Sequence, residues 1–416
     1  MKKIAIIGAG ISGLSVAQLL QEKFDVKVFE KASSPGGLIK CKRVDGNLYH
    51  MVGGHVFNSK RQDVLDLFWE FFEQESEFVK ATRNATIYLD KPVGYPIENH
   101  LYELEPEQAR CVISDLLEIK KRNSGEPENF EEFLKKRFGE TLYSLYFKPY
   151  NEKVWKRDLS RVPLSWLAGK LPMPSVEEIL FNNINKEKEA NMVHSSFYYP
   201  RRNGSQFLVD RLSKGLEIEC NADIISIVHL EDEKKWKINN DQLFDYVIYA
   251  GNIKTLTDVV DRSLELGRFA EDIQGLEYHG TTTVLCEVEA NPYSWVYLPD
   301  PSVAAHRIIN TGNFSESNNR DGIKTATVEF TDYVEKEDIV KNLQKMPFSP
   351  KYIAHEFTEY TYPIQDENTR PLIAEIKEKV ESKGMFMLGR FAEWEYYNMD
   401  AAMGAAFDLS KRILKA

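Results

Sequence analysis

The stretch Ile4-Ala5-Ile6-Ile7-Gly8-Ala9-Gly10-Ile11-Ser12-Gly13 decides the fold. Its four apolar residues read as a buried strand, its glycines as a tight turn, and Leu14, Val16, Ala17 and Leu20 beyond it as the apolar side of a helix. Gly8 permits the turn, Gly10 lets the backbone approach a pyrophosphate, and Gly13 lets the helix pack close to the strand, so that the partial positive charge of its N-terminus meets the phosphates. A second strand, Val26-Lys27-Val28-Phe29, ends at Glu30, placed to accept the hydroxyls of a ribose and to repel a 2′-phosphate. Strand, glycine turn, helix, strand and acid in this order predict a Rossmann-like dinucleotide-binding unit and disfavour NADP.

At 416 residues the chain is too long for one core and is expected to form two or three domains. Its net charge of −11 excludes a nucleic-acid backbone as the expected partner, while a local arginine cluster could still take a small anion. Cys41, Cys111, Cys220 and Cys286 show no CxxC pair and no histidine at ligand spacing, so they read as reduced core thiols and no metal site is expected. Met1-Lys2-Lys3 runs straight into the first strand, and no apolar stretch approaches a membrane span. The expectation is a soluble cytoplasmic enzyme.

Residues 100–195 carry Glu, Lys and Leu at helical spacing, broken by Gly125-Glu126-Pro127, Pro163, Pro172 and Pro174, and predict an inserted helical domain. From Ile218 the pattern turns to short strands: Ile224-Ile225-Ser226-Ile227-Val228, Trp236-Lys237-Ile238 and Tyr246-Val247-Ile248-Tyr249-Ala250-Gly251. Residues 280–362 alternate apolar and polar side chains, as in Thr281 to Val288, and predict an antiparallel sheet that walls a substrate site. Met385 to Arg390 reads as a strand and Met399 to Leu414 as a closing helix.

Glu30-Lys31-Ala32-Ser33-Ser34-Pro35-Gly36-Gly37 resembles the E-x(5)-G-G extension of the superfamily of FAD-containing amine oxidases and UDP-galactopyranose mutases. The resemblance implies FAD as cofactor and adds Gly37 to its cradle. Four further segments resemble the UDP-galactopyranose mutase family across nearly the whole chain. Gly53-Gly54-His55-Val56-Phe57 is similar to its G-G/P-H-x-F loop, which implies that His55 lies by the flavin; a core histidine is the plainer reading. Tyr150-Asn151-Glu152-Lys153-Val154-Trp155 is similar to its YN-x-K-V-W helix, implying that Asn151 and Trp155, one turn apart, meet a nucleotide rather than merely packing the helix. Arg307, in Ala305-His306-Arg307-Ile308, falls where the family places a phosphate-binding arginine, and Leu388-Gly389-Arg390 through Asp400 resembles its GR block. That block implies Arg390 and Met399 at the cofactor and Tyr396 and Tyr397 at the substrate; as plain side chains, Arg390 would be a surface arginine and Tyr396 a core tyrosine. Tyr362-Pro363 resembles the family's Y-P element, and Tyr95-Pro96-Ile97-Glu98-Asn99 its base-binding segment, with Glu98 where eukaryotic members carry an amide.

The resemblance implies a three-part α/β fold. A Rossmann-like FAD-binding domain is expected from residues 1–80, 203–272 and 365–416, an inserted helical domain from 100–195, and an antiparallel β-sheet substrate domain from 81–99 and 273–364. It also implies a nucleotide-sugar mutase that interconverts pyranose and furanose forms through an adduct at N5 of the reduced flavin, with His55, Arg307, Tyr362 and Tyr396 catalytic. Reduction by NAD(P)H or a reductase, a homodimer, and a place in polysaccharide biosynthesis follow from the same source. One departure stands out: where eukaryotic members have F-R-[FY]-P, this chain reads Phe197-Tyr198-Tyr199-Pro200-Arg201-Arg202. With Tyr198 in place of an arginine, diphosphate binding would weaken by ~1.5–3 kcal/mol unless Arg201 or Arg202 turns inward. Two alternatives remain open on the residues alone, a flavin oxidase or desaturase and an inactive FAD-binding homologue.

Overall fold

Alternate side chains of the strand Lys3–Ile7 enter two different cores, Ile4 and Ile6 one, Ala5 and Ile7 the other, as a strand buried on both faces requires. The computed structural model describes residues 1–121, 125–164, 174–187, 195–239 and 242–415. In it this strand is the centre of a five-stranded sheet, ordered Met385–Met387, Tyr246–Tyr249, Lys3–Ile7, Asp25–Glu30 and Glu217–Cys220, with every pair parallel. The first sheet therefore gathers strands from the beginning, middle and end of the chain. Ile11–Leu20 and the closing helix Met399–Lys415 pack on the Ile4 face through Leu14, Val16, Met403 and Leu409. On the other face lie a three-stranded sheet from residues 227–244 and the helix Thr369–Glu381, sealed by the fully buried Trp236 and Trp394.

A seven-stranded sheet, ordered Lys351–Pro363, Tyr278–Val288, Lys324–Thr331, Arg307–Ile309, Trp295–Tyr297, Ala85–Tyr88 and Pro92–Gly94, forms the second layer. It is antiparallel as expected, with one exception: Ala85–Tyr88 enters from far upstream and runs parallel to Trp295–Tyr297. The helices Pro106–Lys121, Phe130–Leu142, Lys148–Trp155 and Val176–Asn185 pack an aromatic core of Phe130, Phe133, Tyr143 and Tyr146 onto this sheet at Trp295 and Tyr297. Pro172 lies outside the described residues.

Three local expectations are corrected. The strand expected from Ile224 begins at Ile227, because the Asn239 side chain takes the N–H groups of Ile225 and Ser226 out of the ladder. The strand from Met385 ends at Met387, and Gly389, at φ +100°, turns the chain towards Arg390. Cys41 and Cys286 are buried thiols, but Cys111 is exposed on the solvent side of the helix Pro106–Lys121, whose buried side is Val112 and Leu116.

Candidate functional site

The glycine turn is closed by contacts that leave no room for side chains. A Cβ on Gly13 would lie 2.0 Å from the Gly8 carbonyl oxygen, so the helix Ile11–Leu20 can start where it does only with glycine there. Glu30 accepts the N–H groups of Ala9 and Ala32, each at 2.8 Å, and so braces the turn while it faces the cavity the turn opens onto. That cavity, about 540 Å³, is lined at one end by Gly8, Gly10, Gly13, Glu30 and Gly37. Its other end is formed by the seven-stranded sheet. Gly53, Gly54 and His55 lie between the two, and Met399 opens the closing helix against it.

At the sheet end Arg307 is fixed before any ligand arrives. Its Nε donates to the buried Glu329 carboxylate, and its Nη2 donates to the Tyr362 hydroxyl at 3.1 Å. Burial works against both charges. The pair overcomes it, because Arg307 and His306, whose Nε2 is 3.3 Å from Glu329, bring the Glu329 carboxyl down to about 2, and Glu329 lifts Arg307 above its ordinary value. Glu329 also explains the loop beside it: Gly53 has φ +98°, and a Cβ there would stand 2.2 Å from Oε1 of Glu329. The rings of Tyr362 and Tyr396 stack at 5.5 Å, and burial keeps the Tyr362 phenol protonated far above the usual range. His55 is held neutral, its titration pushed down to about 4 by burial and then by Arg390, and its Nε2 donates to the Leu38 carbonyl at 3.0 Å.

Arg390 lies over the Tyr396 ring at 4.6 Å and donates to the carbonyls of Tyr397 and Thr361, which uses three of its five N–H groups. Its remaining donors can serve an anion at the glycine end. The donor set fits FAD: an acid for a ribose, a helix N-terminus beside a guanidinium for the pyrophosphate, and a side-chain-free loop at Gly53-Gly54 for a flat ring.

The other expected residues are placed unequally. Tyr397 lines the cavity, and Tyr95 stands behind its wall, 4.9 Å from Tyr297. Asn151 donates to the carbonyl of Phe147, the residue that precedes its helix, Trp155 ends that helix, and Glu98 is buried in the turn after Tyr95; none of the three is among the lining residues. Tyr198 and Arg202 are not brought to the cavity. The strand Ser196–Pro200 pairs with Phe78–Thr82, so Tyr198 faces Trp69, 4.9 Å away, with its hydroxyl taken by Gln74. Neither neighbouring arginine turns inward, since Arg201 donates to the Glu75 carbonyl and Arg202 is exposed.

Two lining residues escaped the sequence reading. Arg83, in the turn between Phe78–Thr82 and Ala85–Tyr88, is stacked 4.7 Å from the Tyr95 ring and 5.3 Å from Trp295, and donates to the Tyr297 hydroxyl. Tyr297 pairs directly with Arg307 across the sheet, so the two arginines belong to one wall. Arg83 carried no motif. Glu329 sat in the alternating stretch Thr325-Ala326-Thr327-Val328-Glu329-Phe330-Thr331, where the pattern puts an acid with the threonines on a polar face although both faces are buried.

Residues 6–72 match the family model of the NAD(P)-binding Rossmann-like domain. The dTDP-fucopyranose mutase of Escherichia coli is 32% identical over 184 residues, which cover 42% of this chain; the match spans 46% of that relative, so the chain spans about half the length of the curated relative it matches there. A UDP-galactopyranose mutase from Mycoplasma genitalium is 23% identical over 99% of this chain and 94% of its own. The chain is thus similar to a UDP-galactopyranose mutase over nearly its whole length. A crystal structure of a reduced UDP-galactopyranose mutase superposes with a TM-score of 0.87 at 22% identity, covering 100% of this chain and 96% of that one, and so shares the fold from end to end. Similarity to the UDP-galactopyranose mutases and the geometry of the cradle together imply FAD. Among the described residues no helix is long and apolar enough to cross a membrane.

Proposed function

We propose that this chain is an FAD-dependent mutase that interconverts the pyranose and furanose forms of a nucleotide sugar. The observation that supports the reading is a single cavity lined at its glycine end by the turn, which with Arg390 would take a dinucleotide, and beyond Arg390 by Arg307, Tyr362 and Tyr396, which would take a second diphosphate at the sheet end. An enzyme that only withdraws hydride from a neutral amine or alcohol has no use for the second end.

When bound and reduced, the flavin supplies the nucleophile for the anomeric carbon. The protein must then hold the diphosphate as a leaving group and return it to the same carbon. Arg307 offers its outward N–H groups, and the phenols of Tyr362 and Tyr396 donate without adding charge. The neutral His55, whose Nε2 donates to Leu38, presents its Nδ1 as an acceptor at the ring end of the site. Tyr95 and Trp155, with Asn151, would border the nucleoside, and Glu98 would bear on which base is preferred. We further propose a cytoplasmic homodimer that receives electrons from NAD(P)H or a reductase.

The test is to incubate the dithionite-reduced protein anaerobically with UDP-, dTDP- and GDP-sugars and follow furanose formation by chromatography, with oxidised protein as control. Conversion confined to the reduced protein supports the reading and names the base and sugar. No conversion across the panel, together with reduction of the flavin by an amine or alcohol, replaces it with the oxidase reading.

A further inference from the structure

The helix Lys148–Trp155 is tied to the seven-stranded sheet and its 298–306 loop by two side chains, Lys153 and His279. Lys153 donates to the carbonyls of Leu298, Asp300 and Ala305, and His279 reaches the last residue of the helix. His279 begins the irregular end of the strand Tyr278–Val288 and pairs across the sheet with Tyr362, one of the cavity tyrosines. Its side chain is only 12% exposed. Nε2 lies 2.9 Å from the Trp155 carbonyl oxygen, and Nδ1 lies 3.0 and 3.2 Å from the two carboxylate oxygens of Asp332. Asp332 is held in turn by the Gly280 N–H at 3.0 Å.

Both nitrogens therefore face oxygen atoms that only accept. A neutral imidazole has one N–H and one lone pair, so either tautomer would turn a lone pair on the carboxylate or on the carbonyl. The imidazolium alone satisfies both, and a cation at the C-terminus of a helix is further favoured by the helix dipole. We propose that His279 is a positioning residue which, as an imidazolium bridging Asp332 and the Trp155 carbonyl, docks the Asn151/Trp155 helix on the sheet. Loss of its proton turns one of the two contacts repulsive and loosens that helix. The consequence for ligand binding rests on the nucleotide-sugar reading above; the docking itself does not. Among the described residues, Asp332 feels Lys156 as well as His279, Tyr362 is paired with His279 across the sheet, and Glu277, two residues before His279, pairs with Arg157, two residues after Trp155; Lys153 on the same helix is pushed down to about 8 by burial.

Hydrogen exchange of the FAD-loaded protein, read by mass spectrometry on peptides covering residues 148–158 and corrected for intrinsic rate, tests this between about pH 6 and about pH 9. In the parent protein the protection of this helix is expected to fall about tenfold or more as pH rises, the scale of one charged hydrogen bond. His279→Gln should show the low protection at every pH, apart from the share of Lys153. Asp332→Asn separates the charge bridge from mere packing: its amide can donate to Nδ1 while Nε2–H donates to Trp155, so the helix should stay protected with the His279-dependent pH response gone. UDP affinity should follow helix protection in all three proteins, with FAD content unchanged. A pH response in His279→Gln or Asp332→Asn equal to that of the parent overturns the proposal. Failure of UDP to bind at any pH would overturn the nucleotide reading instead, and the exchange profiles would still decide the role of His279.

Discussion

Replacing Glu329 by glutamine removes one negative charge from beneath Arg307 at almost constant volume, and the structure fixes both the size and the pH dependence of the effect. Glu329 is 1% exposed, so no solvent screening discounts the interaction. Its carboxyl falls from 4.5 to about 2 on folding; that drop, at 1.36 kcal/mol per pH unit, is worth about 3 kcal/mol at neutral pH. The sign follows from the depressed value: the contribution is fully present above the unfolded value of 4.5 and is lost as pH falls towards 2. Glu329→Gln should therefore lower unfolding stability by about 3 kcal/mol at pH 7, measured by urea titration of the FAD-loaded protein with flavin and tryptophan fluorescence in parallel. The gap between parent and variant should hold constant down to about pH 5 and then close. A variant as stable as the parent at pH 7, or a gap that widens on acidification, would refute the claim that Glu329 is an ionised partner of Arg307.

Gly13→Ala puts a methyl group 2.0 Å from the Gly8 carbonyl oxygen, and the purified variant should lack the flavin absorption of the parent. Arg307→Lys keeps the charge but cannot serve Glu329, Tyr362 and a phosphate from one planar fork; UDP affinity, measured by calorimetry, should fall by about one to two orders of magnitude. Arg83→Ala takes the cation from between Tyr95, Trp295 and Tyr297 and should weaken UDP binding about tenfold, with KM rising more than kcat falls. Tyr198→Phe, which loses only the bond from Gln74, should leave UDP affinity and turnover within about twofold of the parent.

What the sequence made legible was local. The fit of Gly13 against Gly8 and the grip of Glu30 on Ala9 and Ala32 are contacts between near neighbours in the chain, and the Gly389-Arg390 block delivers Arg390, Tyr396, Tyr397 and Met399 together because one turn and one helix start place all four. The cavity wall at the sheet end is different in kind. Arg83 meets Tyr297 only because Ala85–Tyr88 pairs in parallel with Trp295–Tyr297, and Tyr198 is turned away by its pairing with Lys80, registers that no neighbouring residue specifies. Glu329 was hidden for a third reason: its strand is buried on both faces from Thr325 to Thr331, so alternation says nothing about where an acid points.

If the proposed function holds, Arg307 and Arg83 together would answer the problem posed by the Tyr198 departure without restoring the missing residue. A guanidinium waiting in a cavity for a diphosphate must lose its hydration before the ligand comes, and in a protein of net charge −11 the cost is met locally. For Arg307 it is met by Glu329 below and Tyr362 beside it, and for Arg83 the faces of Tyr95 and Trp295 and the hydroxyl of Tyr297 contribute. Donors fixed in this way lose little conformational freedom on binding, so the diphosphate gains from orientation as well as from charge. The Glu329 carboxylate also offsets the charge of Arg307, which in the proposed reaction would leave a directional donor rather than a bare cation facing the leaving group. Such a donor can hold a diphosphate long enough for the sugar to rearrange and still release it, and a stronger field at the same place would slow that release.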